Sequence, residues 1–196
     1  IWEKLLSCKR LNDIKEKKER NECFDDPRNP FQRDCDRITY SYPFRRLQDK
    51  TQVIPLPVID FVHTRLTHTL EVTTVGRSLG KLLENHLVKK EILKQKECGS
   101  IPAILAAACL AHDIGNPPFG HSGEDSISEY FRNGMGHSYI LEDYGGGYNE
   151  DYSIKVRDIQ SESKIRDLKN FEGNAMGFRL LTKYDDNGLN LTCASL

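Results

Sequence analysis

Residues 100–111, SIPAILAAACLA, constrain the fold more than any other stretch of this chain. Alanine has the highest helix propensity, and small side chains let a second helix approach closely. Ser100 is placed to cap such a helix, Pro102 suits its first turn, and Gly115 is placed to end it in a left-handed conformation. The run is far too short to cross a bilayer. It is therefore expected to be a buried helix at the centre of a helical protein, with Leu105, Ala108 and His112 on one face.

Helical signals dominate elsewhere, and sustained period-two alternation is missing. Thr64 to about Val88 is expected as a long helix in which Val72, Val75, Leu79 and Leu82 recur at helical spacing, with His68 on the same inward stripe. Residues 29–41 read as a helix with Asn29 as N-cap and Pro30 in the first turn. Residues 41–57 read as turn and extended chain, because Pro43, Pro55 and Pro57 oppose helix. The first eleven residues form a short amphipathic start, and the charged NDIKEKKERNE after it suits a solvated face or loop. The polar segment at about 134–170, with GGGY at 145–148 and a short helix near 157–168, is expected as a lid or insertion. FEGNAMGFRLLTKY is again helical, DDNG at 185–188 is a turn, and LNLTCASL reads as the opening of a further helix. The simplest architecture is all-α and truncated at its C-terminal side, with an N-terminal helix and charged loop over 1–28 and one main domain over 29–196.

Charge excludes some partners. Twenty-eight Lys and Arg nearly balance twenty-nine Asp and Glu, so there is no global positive field for nucleic acid or a membrane surface, and an anionic ligand has to be held locally. With no membrane span or secretory leader in the sequence, a cytoplasmic protein is expected. The six cysteines are scattered without a C-x-x-C pair, which argues against structural zinc and a disulfide framework.

His68, His112 and Asp113 each interrupt an otherwise apolar helical face. Buried without partners, such groups cost about 1–3 kcal/mol each. A divalent cation would satisfy all three, and imidazole with carboxylate suits manganese, iron, cobalt or zinc. Hydrogen-bonded core histidines beside a helix-terminal aspartate are the other way to satisfy them. After them, GNPPFGHSGE builds a stiff turn: Pro117 and Pro118 limit its freedom, and Gly120 and Gly123 permit close backbone approach. The turn delivers His121 and Glu124, a histidine able to donate a proton and a carboxylate able to tune it. An incidental histidine on a surface loop is the alternative.

RLTHTLEV at 65–72 and AACLAHDIGNPPFGHSGE at 107–124 resemble the HD-domain metal phosphohydrolases, specifically their deoxyguanosine-triphosphate triphosphohydrolase branch. Three more blocks resemble that branch in the same order, at 30–53, 170–181 and 188–196. The resemblance implies an HD-domain helical bundle in which His68, His112 and Asp113 ligate a catalytic divalent metal. Manganese or magnesium would come first, with iron, cobalt or zinc compatible. A further aspartate ligand belongs to a later helix of such enzymes, beyond Leu196. Arg65 matches a phosphate-binding arginine of related enzymes. Arg46, Gln48 and Lys50, on a turn with Arg45, are candidates for phosphate, sugar and base. Glu172 and Asn174 either line the same cleft or cap a helix. Asn116 stands where many relatives carry another histidine.

The implied reaction is metal-assisted hydrolysis of a deoxynucleoside triphosphate, dGTP first, to deoxynucleoside and inorganic triphosphate, with His121 and Glu124 as the proton-transfer pair. A homo-oligomer is implied as well. A phosphomonoesterase or phosphodiesterase with the same centre, and a non-catalytic nucleotide-binding subunit, are the competing readings.

Overall fold

The computed structural model describes residues 2–15, 28–52, 63–94, 97–136, 145–148, 154–156, 159–183 and 188–196. Most of the charged N-terminal stretch, Pro55, Pro57, the turn at 185–187 and much of the expected lid lie outside them. Two compact units emerge, one of Ile1–Gly115 with Asn174–Leu196 and the other of Asn116–Gly173.

The first unit opens with two short helices, α1 (Trp2–Leu5) and α2 (Leu11–Lys15), followed by α3 (Pro30–Tyr40), α4 (Tyr42–Arg45) and a 3-10 turn over Arg46–Asp49. The long α5 (Arg65–Lys89) and the alanine-rich α6 (Ser100–Ala111) come next. The second unit holds α7 (His121–Arg132), a two-stranded antiparallel ladder of β1 (Gly145–Tyr148) with β2 (Ile154–Val156), and α8 (Ile159–Lys169). Gly173 starts α9 (Gly173–Lys183), which belongs to the first unit from Asn174 onward. The helical class is as expected, and the short ladder is an addition that the glycine-rich sequence did not signal.

Within the first unit, α6 is central, packing on both α3 and α5. Its buried face carries Ile101, Ala103, Ala106, Ala107, Leu110 and Ala111. The α5–α6 contact is close because α5 presents glycines: a Cβ at Gly76 would run into Cys109 Sγ, and one at Gly80 would stand 2.8 Å from Pro102 Cα. This overturns the inward stripe read from the sequence. Val75, Leu79 and Leu82 are 58, 57 and 67 % exposed, while Thr69, Thr73, Gly80, Glu84 and Leu87 are buried. Helical spacing identified the helix correctly but chose the wrong face, since the tightest packing went to the smallest side chains. The Thr73 hydroxyl donates to Thr69 O at 2.7 Å, so its burial costs no unsatisfied donor.

The ends of α6 also differ from expectation. Gly99, at φ 91°, is the N-cap, and Ser100 is the first helical residue. Ser100 Oγ instead accepts from Asn29 Nδ2 at 3.1 Å, tying the start of α6 to the cap of α3. The buried Glu84 carboxylate accepts from Gly99 N at 2.6 Å and from Lys81 Nζ at 2.8 Å, which holds this turn against α5. At the other end the helix stops at Ala111, and Gly115 is not left-handed; that conformation falls later, at Phe119 and Gly120.

Asn29 and Gln32 form the capping box that starts α3. Pro43 lies in the first turn of α4 rather than blocking it, because proline is tolerated there in a helix whose N-cap, Ser41, accepts from Phe44 N. Phe44 and Leu47 thereby enter a core with Ile38, Leu110, Ile114, Leu181 and Leu191. Complete burial of Ile38, Leu47 and Leu191 stabilises the fold by roughly 1.5–3 kcal/mol each.

Residues 188–196 do not open a helix. They are anchored by a buried polar network: Asp34 Oδ1 accepts from Arg10 Nη1 at 2.8 Å, and its Oδ2 accepts from Thr192 N and Oγ1 at 3.0 and 2.7 Å. Arg10 Nη1 also donates to Asn190 O. Cys35, Cys98, Cys109 and Cys193 are free thiols. No helix among the described residues is long and apolar enough to cross a membrane.

Candidate metal centre

The N-terminus of α5 and the C-terminal end of α6 bring His68, His112 and Asp113 together. One ligand atom from each lies within 4.8 Å of the others, and the two imidazoles meet edge to face at 5.4 Å between centroids. Thr64 starts α5 through a capping box with Thr67, which fixes the first turn and therefore His68. Contrary to the inward placement read from the sequence, Ala108 and His112 lie on an exposed side of α6. That exposure leaves His112 reachable by a ligand while Asp113 is buried.

The donor chemistry suits a divalent cation. His112 Nδ1 is 2.7 Å from Cys109 O; a carbonyl can only accept, so Nδ1 carries the proton and Nε2 offers its lone pair. Nε2 lies 3.9 Å from Asp113 Oδ1. Asp113 Oδ2 accepts from Arg65 Nη1 at 2.9 Å, with both side chains at 5 % exposure or less. Arg65, read from the resemblance as a phosphate ligand, is thus placed as the partner of the candidate ligand carboxylate. Among the described residues its buried Nε has no hydrogen-bond partner, a donor left for an approaching anion.

Lys50 joins the same neighbourhood. Its carbonyl accepts from Arg65 N at 3.0 Å, and Thr51 and Thr64 form an adjacent β-bridge. Burial, then the Arg46 and Arg65 guanidinium groups, push the Lys50 ammonium below its ordinary pKa, with Asp113 opposing them. Arg65 is thus the cation in contact with Asp113, and Lys50 feels the charges of Asp113, Arg65 and Arg46 together. Arg46 also reaches over the Tyr42 ring at 5.9 Å, whereas Gln48 is exposed on the 3-10 turn and no described contact draws it to this group.

In the second unit, His121 opens α7 and its Nδ1 is 2.8 Å from Glu124 Oε2, one helical turn on. Glu124 Oε1 accepts from Gly173 N at 2.8 Å. The hydrogen bond and charge of Glu124 raise the His121 pKa above its ordinary value. The imidazole, 99 % exposed, is thus kept protonated to higher pH while its orientation is fixed from one side. Left-handed Phe119 and Gly120 produce the turn, and a Cβ at Gly123 would collide with Pro118 O. Gly173, unnoticed in the sequence, is required because a Cβ there would overlap both Asn116 Oδ1 and Glu124 Oε1. Its only signal was a glycine between Glu172 and Asn174, both of which are exposed.

Residues 65–167 match the family described as HD domain. A Synechocystis protein named deoxyguanosinetriphosphate triphosphohydrolase-like protein is 44 % identical over 199 residues, covering all of this chain and 41 % of the relative. A Listeria innocua protein of the same name is 42 % identical, covering all of this chain and 40 % of its own. A Yersinia enterocolitica protein named deoxyguanosinetriphosphate triphosphohydrolase is 40 % identical over 85 % of this chain and 35 % of the relative. The chain thus spans about two fifths of the length of the first relatives.

Proposed function

Because this chain belongs to the HD-domain family, we propose that the protein hydrolyses deoxynucleoside triphosphates, dGTP first, at the α-phosphorus to release deoxynucleoside and inorganic triphosphate. The observation that carries this reading is the convergence of two imidazoles and a buried carboxylate within 4.8 Å, with the Arg65 guanidinium on that carboxylate. The names of the relatives support the substrate class. A homo-oligomer acting in the cytoplasm belongs to the same proposal.

His68, His112 and Asp113 would hold the cation, manganese or magnesium first, with iron, cobalt or zinc compatible. When bound, it polarises a phosphoryl oxygen and lowers the pKa of the attacking water. Arg65 keeps Asp113 in position and, with Lys50 and Arg46, offsets the charge of the triphosphate; such electrostatic stabilisation is commonly the largest catalytic contribution. Gln48 is assigned to the nucleoside. As water adds to the α-phosphorus, the bond from phosphorus to the 5′ oxygen breaks, and His121, oriented by Glu124, donates its proton to that departing oxygen. The elevated pKa of His121 suits a group that must arrive protonated.

The test is product analysis by phosphorus NMR with dGTP and Mn2+. Deoxyguanosine and inorganic triphosphate in equal amounts are expected, with His121→Ala slowing turnover by about 10²–10⁴-fold. Orthophosphate or pyrophosphate as the first product would replace this reaction by a different phosphoester hydrolysis, and binding without turnover would identify a nucleotide-binding subunit. Undiminished turnover by His121→Ala would remove that residue from the mechanism.

A further inference from the structure

We propose that His63, His68 and Glu71 form a second divalent-cation site, exposed beside the first, that competes with it for His68. One ligand atom from each of the three lies within 4.8 Å of the others. His63 Nε2 is 3.6 Å from Glu71 Oε2, and the His63 and His68 rings are 6.1 Å apart between centroids. The local chain builds this group. His68 and Glu71, three apart on α5, share one helix face, and His63 immediately precedes the N-cap Thr64. His63 also precedes the 65–167 segment that matches the family, so the family match assigns it no role.

Two imidazole nitrogens and a carboxylate oxygen are the donor set of borderline divalent ions such as zinc. His63 and Glu71 side chains are 41 and 61 % exposed, so an ion can enter from solvent and retain water ligands. A neutral imidazole carries one protonated nitrogen and one lone pair, so His68 serves one cation at a time. Occupation of the exposed site therefore withdraws His68 from the set with His112 and Asp113, and excess zinc is inhibitory. The inhibitory consequence rests on the proposed function, but the binding does not.

Equilibrium dialysis of this chain against Zn2+ at neutral pH, with bound metal measured by mass spectrometry, separates the two sites. The wild type is expected to bind one ion. His112→Ala, which cripples the first set, is expected still to bind one through the second. Adding either His63→Ala or Glu71→Gln to His112→Ala should weaken that binding at least ~10-fold, since even outer partners of a metal ligand are commonly worth that much. Circular dichroism checks that each variant is folded, and Glu71→Gln offers an exposed, isosteric change. Failure of His112→Ala to bind zinc, or binding indifferent to both additions, overturns the second site. Two ions on the wild type at once overturn the competition. Zinc held by the His63→Ala, Glu71→Gln double variant reports the first set alone, so its absence counts against the proposed function instead.

Discussion

Replacing Arg65 by methionine isolates what holds Asp113 in the metal-free protein. The Arg65 guanidinium and the Asp113 carboxylate are 2.9 Å apart, with side chains 4 and 5 % exposed, so neither partner can turn to bulk water once the other is gone. Removing one member of such a buried pair costs about 3–5 kcal/mol, through the hydrogen bond lost and a buried charge that the remaining neighbours offset only in part. Against a typical total stability of about 5–15 kcal/mol, that is a large fraction. With a urea m value of about 2 kcal/mol/M, the unfolding midpoint of the metal-free protein should fall by roughly 1.5–2.5 M. Circular dichroism during urea titration, with EDTA present, measures this directly. The double variant Arg65→Met, Asp113→Asn removes both charges and should recover about 2 kcal/mol relative to the sum of the single changes. Adding Mn2+ should restore part of the loss in Arg65→Met, because a bound cation replaces the missing positive partner of Asp113. A midpoint shift below about 0.5 M, together with additive single changes, would refute the reasoning.

Glu124→Gln should lower the His121 pKa toward the ordinary histidine value, since Glu124 supplies the main causes of its elevation. A raised pKa means that the protonated form is present at low pH and lost as pH rises through that value. The substitution should therefore move the His121 NMR titration, and the alkaline limb of activity, to lower pH. An unmoved titration would show that Glu124 does not set the protonation of His121. Asp34→Ala leaves Arg10 and Thr192 without their shared buried acceptor and should destabilise the chain by about 3–5 kcal/mol in urea; a loss under about 1 kcal/mol would exclude an anchoring role. Burial pushes the Cys35 thiol up to about 11, so at pH 8 only about one molecule in a thousand carries its thiolate. Mapping of alkylated peptides should find Cys35 modified more slowly than the exposed Cys193; equal rates would contradict its burial.

The elements were legible where local chemistry decides them. Asn29-Pro30-x-Gln32 carries its own helix start, and the alanines of α6 have few alternatives to a buried helix. His68, His112 and Asp113, named together from the sequence, do lie within 4.8 Å of one another, but the buried apolar setting read for them holds only for Asp113, since His112 is exposed. The facing of α5 was not. Periodicity finds an apolar stripe but cannot show that Gly76 and Gly80 admit α6 more closely than Val75 or Leu79 would.

By itself, the sequence determined the helical class, the starts of α3 at Asn29 and of α5 at Thr64, and which imidazoles and carboxylates are available to a site. Tertiary structure alone decided which atoms meet. It put Arg65 on Asp113 rather than on an open surface, Gly173 N on Glu124, and His63 beside Glu71. The reason is physical: a helix propensity or cap is settled within a few residues of chain, whereas a hydrogen bond or ion pair between segments depends on how closely their backbones pack.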